Sequence, residues 1–176
     1  LYHLKENLIK TDKFVCINFS LGLTEEINSA AFFWQILNGI AEYIEDHNST
    51  YKQKPNYSKP SISELSLNPS IVFYEEIKSI LKEFSKYPTW KDKRLLLMID
   101  EFTYLYSAIL REKISSDFMR TWKSLLEKGF FSSVLIGQDV MPKFKQKFPN
   151  EFCVTEDRRL AYLKPEDAKQ LIEKPI

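Results

Sequence analysis

Glycine is scarce in this sequence, with four in 176 residues, at positions 22, 39, 129 and 137. No window reads as a glycine-rich loop ending in Lys-Ser or Lys-Thr, so these residues carry no phosphate cradle of that kind. Cysteine is almost as rare. Cys16 and Cys153 each sit in an apolar, strand-like run and are far apart in sequence. Two isolated cysteines make neither a disulfide framework nor a zinc site, and they read as reduced core thiols of a cytoplasmic protein. His3 and His47 are equally isolated, which argues against metal ligation by histidine. The net charge is +1, so no global field points to nucleic acid or to an anionic membrane. No apolar run approaches the roughly 20 residues that cross a bilayer, and no stretch has the make-up of a secretion signal.

What is present is a globular composition. The chain is 44% hydrophobic and 28% charged, and its length suits one domain, 1–176, with a single sizeable core. Residues 1–10 read as the end of a helix, with Leu1, Leu4 and Leu8 on one face, and 13–20 as a strand. Asn28 or Ser29 can cap a helix over 30–46 whose apolar face holds Phe33, Leu37, Ile40, Ala41 and Ile44. Residues 47–70 are rich in Ser, Asn, Pro and Lys and predict a long exposed loop or insertion. Helices are expected over 70–86, 105–111 and 116–128, the last stopped by Gly129. Strands are expected over 94–99, 130–137 and 158–163. A helix after Gln138 would have Asp139 as cap and Pro142 in its first turn, and 164–176 opens another helix at Pro165. Helices alternate with mostly continuous apolar strands. This predicts an α/β fold, a parallel sheet with helices on both faces.

One junction stands out. Five apolar residues, 95–99, run straight into Asp100 and Glu101 and then Phe102. Ligands of parallel sheets bind outside the carboxyl ends of the strands, where these acids lie. Adjacent carboxylates repel, and a cation is their natural third party. Asp100 can hold Mg²⁺, directly or through water, and Glu101 can polarise an attacking water, the arrangement nucleotide hydrolysis needs. The plain alternative is an Asp that caps the next helix. The strand over 130–137 would deliver Gln138 to the same rim, where an amide can orient water or sense a terminal phosphate, or simply face solvent. Lys143, Lys145 and Lys147 alternate with Phe144 and Phe148, a pattern that suits a solvated helix face better than an anion site. Arg158 and Arg159 read as surface ion-pairing residues. Phe32, Phe33 and Trp34 are consecutive and so cannot share one face. They mark either a contact surface or a helix packed between neighbours.

In order along the chain, "KFVCINFSLG…SAAFFWQILNGIAEYI", "RLLLMIDEF", "FFSSVLIGQD" and "RRLAYLKPEDAKQLIEKPI" resemble pieces of the AAA+/STAND superfamily of P-loop ATPases. The second is similar to its Walker B strand and the third to its sensor-1 strand. The fourth resembles the last strand and following helix of STAND-like ATPases. The resemblance implies a P-loop fold and an ATP-binding, ATP-hydrolysing switch domain. In it Asp100 is the magnesium-coordinating acid, Glu101 the general base and Gln138 the sensor, with Mg²⁺ and ATP as cofactors of the intact parent. It also implies that a Walker A loop and its strand lie upstream of Leu1, and that a helical lid follows the helix at 164–176. Without that loop the fragment is expected to bind ATP weakly. The missing strand would leave an open sheet edge, so self-association or another protein partner is expected. The rival expectation is a non-catalytic interaction scaffold with an ATPase-like fold. A Mg²⁺-dependent nuclease would need further spaced acids, which the sequence does not offer.

Overall fold

Three strands pair in parallel, and the middle one carries the acids. In the computed structural model, which describes residues 2–23, 26–47, 54–159 and 164–173, β1 is Phe14–Ser20, β2 is Arg94–Asp100 and β3 is Phe131–Leu135. The order is β1-β2-β3, with Ser20 opposite Asp100 and Ile99 opposite Leu135. The apolar run in β2 is buried from Leu95 to Ile99, as expected of a strand covered on both faces. The fourth expected strand falls largely on residues 160–163, outside the described residues; Arg158 and Arg159 are exposed and irregular.

One face of the sheet presents Val15, Ile17, Leu95, Leu97, Ile99 and Phe131 to the main core. Helices α2 (Ser29–Asp46), α4 (Pro69–Phe84) and α6 (Asp117–Glu127) supply the side chains packed there. Asn28 starts α2 by accepting the Ala31 N–H at 2.9 Å, so of the two cap candidates, Asn28 and Ser29, the first is used. Phe32 and Phe33 are both fully buried because α2 lies between neighbours. Phe32 meets Phe118 and Trp122 of α6 edge-on, while Phe33 stacks on Phe73 of α4 with ring centres 4.3 Å apart. Trp34 points elsewhere and lies under the Lys59 ammonium. The other sheet face carries a smaller cluster, Cys16, Leu96 and Met98, against which Leu8 and Ile9 of α1 (Tyr2–Ile9) pack.

Four expectations need correction. The span read as a loop over 47–70 contains α3, Ile62–Leu67, with a full capping box between Ser61 and Glu64 and a fully buried Leu65. The Ser-rich composition hid this helix, because its apolar face is one residue wide. Cys153 is not a core thiol; it is exposed just after α8, Pro149–Phe152. Asp139 does not cap α7 (Met141–Lys147), where Val140 holds the cap position without a side-chain bond, although Pro142 does occupy the first turn. The helix expected at 105–111 begins earlier, as α5 over Thr103–Leu110, hard against the acids. Helix α9, Pro165–Glu173, lies where expected. No helix among the described residues is long and apolar enough to cross a membrane.

Candidate functional site

Asp100 is the last residue of β2, and Glu101 turns the chain off the sheet. Glu101 does so with φ of +52°, a left-handed conformation that costs a residue with a side chain about 1 kcal/mol. Its neighbours hold it there. The Ile136 N–H donates to the Ile99 carbonyl at 2.9 Å, and the Phe102 N–H donates to the Ile136 carbonyl at 2.8 Å. These two bonds carry the β2–β3 ladder past the end of β3 and fix the backbone on both sides of the acid pair. Phe102 is wholly buried and stacks on Phe144 of α7. An aromatic directly after the acids is therefore an anchor: it drives the chain back into the core so that the residue before it must turn sharply.

The two carboxylates have different tasks in this turn. Asp100 Oδ1 accepts the Glu101 N–H at 2.8 Å. Glu101 Oε2 accepts the Ser20 hydroxyl at 2.6 Å, across the β1–β2 register, and the Gly22 N–H donates to Ser20 Oγ at 3.1 Å. Gly22 belongs to a short 3-10 turn, Leu21–Leu23, that follows β1. A Cβ built at Gly22 would stand 1.8 Å from Glu101 Oε2, so the carboxylate occupies the space a side chain would fill. Both acids are half-buried. Ser20 and Gly22 were not singled out by sequence reasoning. The signal was available only through pairing, because Ser20 is 81 residues from Glu101 and its partner depends on strand order.

Gln138 leaves β3 at the same carboxyl edge as Asp100. With Ile99 opposite Leu135, it lies about two residues beyond the level of Asp100. It is exposed, its carbonyl accepts the Met141 N–H at 2.9 Å, and no hydrogen bond joins its amide to either acid among the described residues. Next to it, Gly137 lies so close to Met141 and Thr103 that an added Cβ would clash at 2.3 Å. The parallel sheet thus brings Ser20, Asp100, Glu101 and Gln138 to one rim, and tight bonding joins the first three.

Among the described residues, no group of three or more His, Cys, Asp or Glu side chains is placed to hold a metal ion. A self-sufficient protein metal cage is therefore not formed there. One half-buried carboxylate at a strand end does fit Mg²⁺, which takes one or two protein carboxylates and completes its shell with water and phosphate oxygens. No family model, no curated protein and no solved structure matches this chain.

Proposed function

We propose that this chain is the core of a nucleotide-dependent switch, an ATP-binding and ATP-hydrolysing domain of the AAA+/STAND type. The observation that supports it most is the acid pair at the carboxyl end of the central parallel strand, with the Glu101 backbone held in a strained conformation by the bonds of Ile136 and its carboxylate held by Ser20. Strain kept in place by its surroundings concentrates at working sites. Asp100 would hold Mg²⁺, which when bound neutralises phosphate charge. Glu101 serves as general base: the Ser20 hydroxyl takes Oε2, and Oε1 accepts a proton from water. Gln138, exposed on the same rim, would sense the terminal phosphate. The backbone N–H groups and Lys that supply most of the phosphate grip in such sites would come from chain outside these 176 residues.

A second reading, a scaffold that keeps the fold without catalysis, is favoured by one observation, the lack of a three-ligand metal cluster among the described residues. Mg-ATP turnover by the intact parent, with and without Glu101→Gln, separates the two.

A further inference from the structure

Away from the acid rim, Ile71 and Tyr74 of α4 face Arg120, Ser124 and Leu125 of α6, and Lys128 just past its end, across an open groove of about 440 Å³. It lies toward the start of β3, since Lys128 and Phe130 precede that strand and Gln138 follows it. The groove is mostly apolar within. Leu125 forms part of the buried core, while Ile71, which lines the groove, is 59% exposed. A large apolar side chain left in water at the mouth of an apolar groove is surface that a partner can cover.

The charged side chains that line this groove are both cations. The lining carries Arg120 and Lys128 and no carboxylate. The Tyr74 ring has the Lys128 ammonium 5.4 Å and the Lys78 ammonium 4.9 Å from its centre. The nearest acids pair outward: Asp117 with Arg120 at 3.2 Å and Glu75 with Lys78 at 3.2 Å, both pairs largely in solvent. Exposed pairs of this kind are worth well under about 1 kcal/mol and exchange readily for an incoming carboxylate.

We infer that this groove docks an acidic peptide segment of a partner protein, one that sets an apolar side chain between Ile71 and Leu125 and its carboxylates against Arg120 and Lys128. A small molecule is a poorer fit, because the groove is open along one side and small-ligand sites enclose most of their ligand. Nucleic acid is a poorer fit because the floor is apolar and the chain as a whole carries only +1. Docking here does not depend on the nucleotide reading, since none of the acid-rim residues lines the groove.

The test is fluorescence anisotropy with a fluorescein-labelled peptide of glutamates around a Phe-Leu pair, at low and at physiological salt. Saturable binding is expected. The Arg120→Glu/Lys128→Glu variant should weaken it by roughly tenfold, Ile71→Ser by severalfold, and Lys143→Glu on α7 should leave it unchanged. Circular dichroism verifies folding, and the exposed Ile71→Ser decides the matter if the charge variant is unfolded. Absence of saturation, equal loss in Lys143→Glu, equal affinity for plain polyglutamate, or tighter binding of a DNA oligonucleotide would each overturn the inference.

Discussion

The Ser20 hydroxyl and the Glu101 carboxylate meet at 2.6 Å, although 81 residues separate them in the chain. The bond exists because β1 and β2 pair in a register that sets Ser20 opposite Asp100, and because the turn at Glu101 swings its side chain back over β1. A charged acceptor makes this a stronger bond than a neutral pair would form. In a double-mutant cycle, Ser20→Ala and Glu101→Ala should couple by about 1 kcal/mol in urea unfolding. Gly22→Ala should erase that coupling and cost little beyond the roughly 1 kcal/mol the bond contributes, since the added Cβ meets only the far end of the flexible Glu101 side chain. Additive effects of Ser20→Ala and Glu101→Ala in the unmodified background would show the bond to be energetically idle.

The backbone at Glu101 makes a separate prediction. Glycine adopts positive φ without strain, and alanine does not. Both Glu101→Gly and Glu101→Ala remove the carboxylate, so their difference isolates the backbone. Glu101→Gly should be the more stable by about 1 kcal/mol despite its greater unfolded-state entropy. An alanine variant at least as stable would mean that position 101 is not left-handed in solution.

Close approach of α2 to the sheet rests on Gly39. A Cβ there would lie 2.6 Å from Cγ2 of the buried Ile17 on β1. Alanine gains about 1 kcal/mol in helix propensity, but overpacking a core costs about 1–3 kcal/mol. Gly39→Ala should therefore lower the urea midpoint. A raised midpoint would show that α2 stands further from β1 than described.

Glu76 gives a pH signature. Burial raises its carboxyl above the usual range; the Tyr57 hydroxyl beside it favours the ionised form and offsets part of this, and the charge of Glu64 adds to the rise. A carboxyl whose folded pKa is raised binds more protons folded than unfolded, so stability falls as pH climbs from the unfolded value through the folded one. Glu76→Gln should stabilise the protein at neutral pH, and the gain should fall away as pH drops toward about 4, below which both states of the parent are protonated. A gain that is flat across this range would contradict the assignment.

Much of the frame was legible because burial leaves a strong pattern. Leu95 to Ile99 announced a central strand, Asn28 announced a helix start, and alternation of helices and strands announced a parallel sheet. What stayed hidden depends on partners distant in sequence or on single residues. Leu65 alone turns a Ser-rich stretch into a packed helix. Ser20 becomes a site residue only once β1 lies beside β2, and nothing local distinguishes it from a strand-ending serine. Cys153 misled because neighbouring apolar residues imply burial only if the segment is inside an element, and it follows one. Asp100 and Glu101 were visible as an anomaly of composition, but the reason for Phe102 required seeing its ring against Phe144.

We propose above that Glu101 acts as a base on water in a Mg-ATP site shared with Asp100. The most direct measurement is single-turnover ATP hydrolysis by the intact parent carrying these residues, with nucleotide binding followed in the same samples. Glu101→Gln keeps the size and a hydrogen-bonding oxygen of the side chain but cannot take a proton. It should leave Mg-ATP binding within about twofold and reduce turnover by about 10² or more. Hydrolysis by Glu101→Gln at the unmodified rate, with ATP bound, would contradict the account.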